Sequence, residues 1–302
     1  MFSLCLSASV ANDSMEICKT IEATRGLSRA RRRQGKRVGL VPTMGALHEG
    51  HLSLVRAAKA QCDAVAVSIF VNPTQFGPNE DLAKYPRSFE SDCVLLEKEG
   101  VDLVFAPPVE EMYPAGAVTY VTVQGLSEKL CGKSRPGHFR GVTTVVAKLF
   151  HITEPDVALF GQKDAAQLAI IRRMVRDLNF PVEIVACPIV RESDGLAMSS
   201  RNAYLDAAQR RSALALYRSL TQAQSMFKEG ERDPAKLIHA GKETVAEDPG
   251  VRLDYFEIVD PETLDSLREM SKPALVAVAA FVGTTRLIDN LILAAATSQL
   301  PA

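Results

Sequence analysis

The chain has 302 residues, 47% hydrophobic and 24% charged, with a formal net charge of −1. At about 150 residues per domain this length predicts two domains, whose cores need no disulfide or metal staple. The charge balance excludes a protein that depends on bulk nucleic-acid electrostatics, and no apolar run approaches the roughly 20 residues of a membrane span.

Residues 1–14 are mildly apolar and lack both a basic leader and arginine, so they fit neither a secretory signal nor a transit peptide. They are read as a disordered extension, with Met15 as the natural start and a helix beginning near it. Arg31, Arg32 and Arg33 make the region that follows basic, as a solvated helix face would be. Strand and helix signals then alternate. Strands are expected at Arg37–Thr43, Ala64–Val71, Asp102–Ala106, Val118–Val123, Val157–Phe160 and Val182–Ala186. Helices are expected at Gly50–Gln61, Ser91–Glu99, Val142–His151 and Asp164–Leu178. This alternation predicts βαβ units and a parallel sheet, an α/β Rossmann-like class.

After Pro188 the pattern changes. A polar stretch, Arg191–Asn202, precedes a long helix over Asp206–Lys228, with Asp206 as N-cap and Gly230 just past the end. A second helix follows over Pro234–Ala246, then strands at Leu253–Val259, Ala274–Val282 and Arg286–Leu293. The division is placed near residue 189: an α/β domain over 15–189 and a smaller α+β C-terminal domain over 190–302.

Cys5, Cys18, Cys62, Cys93, Cys131 and Cys187 are scattered with no C-x-x-C pair, which points to reduced thiols in a cytoplasmic protein. Cys62 and Cys187 fall in apolar, strand-like runs and read as inert.

The first chemical signal is Pro42-Thr43-Met44-Gly45-Ala46-Leu47-His48-Glu49-Gly50-His51, between a strand and a helix. Ligands of open parallel sheets bind at strand C-termini, and a helix N-terminus offers unpaired N–H groups to phosphate. His48 and His51, three apart, can donate to phosphate oxygens; metal ligation lacks a visible third ligand. Asn72 and Gln75 follow the second strand, with amides suited to a hydroxy acid, although Asn72-Pro73 is also a turn signal. Lys163 follows Gly161 at another strand-to-helix turn, and Gln167 lies one helical turn later, able to face the same cleft. Asp164 there is equally a first-turn acid. Met198-Ser199-Ser200-Arg201 supplies hydroxyls and a fixed charge suited to phosphates, or else an interdomain linker. Arg135 and His138 flank a Pro-Gly turn.

The His48-x-Gly50-His51 tetrad resembles the signature of the H-x-G-H nucleotidyltransferase superfamily. Together with Phe70–Phe76, Tyr85-Pro86-Arg87, Arg135–Gly141, Phe160–Asp164 and Met198–Asn202, it resembles the pantothenate synthetase (pantoate–β-alanine ligase) family over about Met15–Leu293. The resemblance implies ATP contacts at Met44, Gly45, His48, His51, Gly161, Lys163, Asp164, Val190, Met198, Ser199, Ser200 and Arg201. It implies pantoate contacts at Gln75 and Gln167, with Asn72 close by, and an anion contact at Arg135. His48, His51, Lys163, Ser199, Ser200 and Arg201 carry the catalytic expectation. Magnesium would accompany ATP, with Asp92 as the candidate carboxylate in Glu90-Ser91-Asp92, unless all three form a solvated helix start. A homodimer without nucleic-acid or membrane partners is implied as well. Ala165 and Ala166 depart from the family, which carries an aromatic and then a larger polar residue there, so looser packing is expected.

The reaction implied is attack of the pantoate carboxylate on the α-phosphorus of ATP, then attack of β-alanine on the adenylate. It needs positioning and charge stabilisation rather than a protein nucleophile. Another nucleotidyltransferase, or a nucleotide-binding regulator that has kept the fold, are the alternatives.

Overall fold

The computed structural model describes residues 14–78 and 80–294. Six parallel strands, β1 (Glu16–Cys18), β2 (Val38–Thr43), β3 (Ala64–Ile69), β4 (Leu103–Phe105), β5 (Val157–Gly161) and β6 (Glu183–Cys187), form one sheet in the order β1-β4-β3-β2-β5-β6. The central strand β3 is apolar except at Ser68, because helices cover both of its faces. On one face lie α1 (Ile21–Arg33), α6 (His138–Thr153) and α7 (Ala165–Asp177): buried residues of α6 and α7 join one core cluster with Leu40, Ala66 and Phe105, and Ile21 and Leu27 of α1 pack against it. On the other lie α2 (Glu49–Lys59) and α3 (Phe89–Lys98), packed through Leu54, Val55 and Leu96 onto Val41, Val65 and Val104. The short helices α4 (Val109–Met112) and α5 (Cys131–Ser134) complete this part of the chain.

The strand order turns back at β2, which has β3 on one side and β5 on the other. Connections leaving neighbouring strands on opposite sides open a crevice at their C-terminal ends, the usual ligand position in such sheets. The segments leaving β2 and β5 there carry His48 and Lys163 respectively.

The C-terminal domain has helices α8 (Ala207–Ser212), α9 (Leu214–Lys228) and α10 (Pro234–Ala246), and an antiparallel sheet β7-β8-β9 (Val251–Val259, Ala274–Val282, Thr285–Leu293). Its core sets Leu216, Leu220 and Leu237 against Phe256, Val276 and Val278. Leu275 and Ala277 instead belong to the core of the parallel-sheet domain, so the two domains share apolar contact.

Three element expectations fail. Residues after Met15 form the edge strand β1, paired with β4, and the helix starts at Ile21 behind the N-cap Thr20. Arg29 and Arg32 of its basic face are paired with Glu154 and Asp156. Val118–Val123 is not a strand: the Val121 N–H donates to Thr144 Oγ1, and its carbonyl accepts from Thr143 Oγ1. Side chains of α6 thus supply the partners that a neighbouring strand would have given. The long helix after Asp206 is interrupted at Ala213. The Asp206 cap is present, its carboxylate accepting from the Ala208 and Gln209 N–H groups at 2.8 Å. The reading of residues 1–14 lies outside the described residues except at Ser14.

Candidate active site

His48 is the N-cap of α2 and His51 is its third residue, and each imidazole serves the other's backbone. His48 Nδ1 accepts the Gly50 N–H at 3.1 Å, and His51 Nδ1 accepts the His48 N–H at 3.3 Å. Burial and then Lys163 lower His48 from 6.5 to about 4; burial, His48 and Lys163 lower His51 to about 3. Both rings are therefore neutral at pH 7. With Nδ1 accepting, each carries its proton on Nε2, so the pair presents two N–H donors at fixed orientation, ring centroids 4.1 Å apart. A Cβ at Gly50 would stand 2.9 Å from the His48 ring, so this position has no room for a side chain.

The loop before His48 is held from α3. Gly45 and Ala46 both have positive φ, 80° and 51°, costly for alanine. Asp92 Oδ2 accepts the Ala46 N–H and Oδ1 accepts the Leu47 N–H, each at 2.9 Å, and Ser88 Oγ donates to Oδ1 at 3.1 Å. Asp92 is 2% exposed. This corrects the magnesium assignment: both of its oxygens are committed to the loop. Among the described residues no group of three His, Cys, Asp or Glu side chains could hold a metal ion. The described residues thus offer no metal cage of their own.

A cavity of about 230 Å³ gathers the separated motifs, with Met44, His48, His51, Asn72, Gln75, Gly161, Lys163, Asp164 and Gln167 in its wall. Val190, Met198, Ser199, Ser200, Arg201 and Arg135 line it too. Gly45 and Asp92 stand behind this wall, supporting the loop. A larger cavity of about 900 Å³ adjoins it, also lined by Lys163, Gln167 and Arg201, and reaches Tyr255, Arg286 and Asn290 of the C-terminal domain. Ala165 and Ala166 line this larger space, where bigger side chains would have reduced it.

Asn72 does not face the cavity as a free amide. It is 1% exposed; its Oδ1 accepts from the Thr74 and Tyr113 hydroxyls, both at 2.9 Å. Its Nδ2 donates to the Gly141 carbonyl at 3.1 Å and to Gln75 Oε1 at 3.2 Å. Asn72 therefore orients Gln75, which corrects its reading as a ligand contact. Gln75 Nε2 lies 2.8 Å from Met44 Sδ. His138 Nδ1 donates to the Gln75 carbonyl at 2.8 Å, leaving Nε2 to accept from Arg135 at 3.0 Å. That neutral form agrees with a pKa lowered to about 4 by burial and then Arg135.

The polar stretch after Pro188 is ordered rather than a bare linker. Arg191 and Ala197 form an antiparallel bridge, and the Met198 N–H donates to the Val190 carbonyl at 3.0 Å. Ser199 Oγ accepts the Arg201 N–H at 3.3 Å, capping a 3-10 helix over Ser200–Tyr204. Arg201 forms a two-pronged pair with Asp81 at 2.9 and 3.0 Å, and Arg135 a similar pair with Glu80. Both arginines thus carry carboxylate partners from one loop. The sequence reading did not find Glu80 and Asp81, because that loop has no periodicity and its partners lie 55 and 120 residues away. Among the described residues the Lys163 ammonium has one loose ion pair, with Asp164 at 3.8 Å.

The chain matches the Pantoate-beta-alanine ligase family over residues 16–292. The chain belongs to that family. It is 63% identical to the pantothenate synthetase of Koribacter versatilis over 282 residues, covering 93% of this chain and 97% of the relative. It is 67% identical to that of Acidobacterium capsulatum over 256 residues, 85% of this chain and 86% of the relative. Among solved structures, pantothenate synthetase from Thermus thermophilus superposes with a TM-score of 0.87 at 48% identity, covering 92% of this chain and 99% of that one. Pantoate-beta-alanine ligase from Francisella tularensis, complexed with beta-gamma ATP and beta-alanine, superposes at 0.76 with 35% identity, covering 92% and 98%.

Proposed function

We propose that this pantoate–β-alanine ligase joins its substrates through a pantoyl adenylate formed in the cavity beside His48, His51 and Lys163. A pantoate carboxylate oxygen attacks the α-phosphorus, and the bond to pyrophosphate breaks. The β-alanine amine then attacks the acyl carbon, the bond to AMP breaks, and the amine's proton leaves to solvent. What supports this reading is that one cavity gathers donors from motifs more than 100 residues apart.

The roles divide by which protons are free. His48 and His51 offer Nε2–H, Lys163 three ammonium protons, and Ser199 its hydroxyl proton. Arg201 keeps three of its five N–H groups after pairing with Asp81. These groups face charge developing on the phosphates, where losing one donor costs about 10²–10³ in rate. Ser200 holds its loop in place. Met44, Gly161, Asp164, Val190 and Met198 shape the nucleotide side, with Gly45 behind them. Gln75, Gln167 and Arg135 hold pantoate. Magnesium arrives on the ATP phosphates. The enzyme works as a cytoplasmic homodimer, which sedimentation of the purified chain tests.

The deciding experiment is pantoate-dependent ATP–pyrophosphate exchange, followed by AMP and pantothenate release on adding β-alanine. Lys163→Ala is expected to lose exchange by about 10²–10³, as are His48→Ala and His51→Ala. Gln75→Ala is expected to raise the KM for pantoate. Wild-type exchange in Lys163→Ala would overturn the lysine's role.

A further inference from the structure

The turn that presents Lys163 is fastened from the other domain. Asn290, on β9 of the antiparallel sheet, is 2% exposed and reaches the end of β5. Its Nδ2 donates to two consecutive carbonyls, Gln162 at 3.0 Å and Lys163 at 2.8 Å. Its Oδ1 accepts from Gln162 Nε2 at 3.2 Å. All three polar sites of one buried amide are thus used on two adjacent residues, 127 and 128 positions away in sequence. The strand beneath is itself pinned. Asp289, 3% exposed, takes a two-pronged pair from Arg191 at 2.6 and 2.9 Å, and Arg191 also donates to the Asn290 carbonyl at 3.3 Å.

We propose that Asn290 is a positioning residue for Lys163: docking of β9 fixes the lysine's backbone, and so the reach of its ammonium group into the cavity. The inference rests on the role given to Lys163 above. Among the described residues the Lys163 ammonium is held by one ion pair, 3.8 Å from a half-exposed carboxylate, so its direction depends on its backbone. An error of about 1 Å in such a group can cost about 10² in rate. A merely structural asparagine would act on stability and on the whole site alike, not through one lysine.

The test is a double-mutant cycle on full-length protein, read by pantoate-dependent ATP–pyrophosphate exchange at saturating substrates and by the KM for ATP. Asn290→Ala is expected to lower the exchange rate by at least about tenfold while the KM for ATP changes less than about threefold. In the Lys163→Ala background the same substitution is expected to change the residual rate less than about twofold. Equal fold-losses in both backgrounds would overturn the inference and leave the lysine's role standing. Wild-type exchange in Lys163→Ala would remove the lysine's role and this inference with it. Should Asn290→Ala lose cooperative melting, Asn290→Ser, which keeps one hydroxyl donor, takes its place with the same expectations.

Discussion

The Ser200 hydroxyl donates to the Ala46 carbonyl at 3.1 Å, joining the segment after β6 to the loop that precedes His48. With its proton committed there, Ser200 has none left for phosphate, whereas Ser199 accepts from the Arg201 N–H and keeps its proton free. The two neighbouring serines should therefore differ. Ser200→Ala is expected to slow exchange by no more than about tenfold, the worth of one net hydrogen bond of about 0.5–1.5 kcal/mol. Ser199→Ala is expected to slow it by about 10²–10³. Steady-state exchange rates of the two variants, compared at saturating ATP, check the order; a larger loss at Ser200 would reverse the assignment.

Asp92 holds a loop rather than a metal, and its substitution separates the two. Asp92→Ala leaves the Ala46 and Leu47 N–H groups without their partner, at about 1–3 kcal/mol for each buried group. The melting temperature is expected to fall and the exchange rate with it. The more conservative Asp92→Asn is expected to melt lower than wild type while needing the same magnesium concentration for half-maximal rate. A raised magnesium requirement with unchanged melting would restore the metal role.

The three half-buried histidines give stability a defined pH dependence. His48 and His138 are lowered from 6.5 to about 4, and His51 to about 3, with burial the largest cause each time. Above 6.5 both folded and unfolded forms are neutral, and the fold has its full stability. As pH falls below 6.5, the unfolded chain takes up protons that the native rings refuse, so stability falls from there towards pH 4. Urea midpoints measured at intervals between pH 7 and pH 5 are expected to decline steadily. The exchange rate should show no ionisation of His48 or His51 over that interval, because both are already neutral. A flat midpoint would count against the neutral-ring arrangement.

Gly141 sets how closely α6 approaches the segment that carries Gln75. A Cβ there would stand 2.3 Å from the Thr74 carbonyl oxygen. In an open helix position, glycine to alanine would gain up to about 1 kcal/mol in helix propensity. Overpacking here costs about 1–3 kcal/mol and wins, because the obstacle is backbone. Gly141→Ala is expected to melt lower and to raise the KM for pantoate more than the KM for ATP. Thermal melts and initial rates of pantothenate formation check the two effects.

The sequence by itself determined the class of fold and the chemistry. Nearly continuous apolar runs such as Ala64–Val71 marked strands buried on both faces, and Asp206 and Gly230 marked helix ends, because these signals are local. The motifs at His48–His51, Lys163–Asp164 and Met198–Arg201 were legible because each sits at an element boundary where few residue types suit phosphate. Tertiary structure alone decided which polar groups are free. Asn72 and Asp92 are the residue types a ligand or metal would want, yet buried N–H, C=O and hydroxyl groups brought in from distant segments had already claimed them. Glu80, Asp81 and Asn290 gave no local signal, since their partners lie 55 to 128 residues away in sequence. Periodicity reports which face of an element is buried. A polar side chain's task depends on which unpaired donor or acceptor the folded chain sets against it, and that pairing exists only once distant segments, and for Asn290 the two sheets, have packed together.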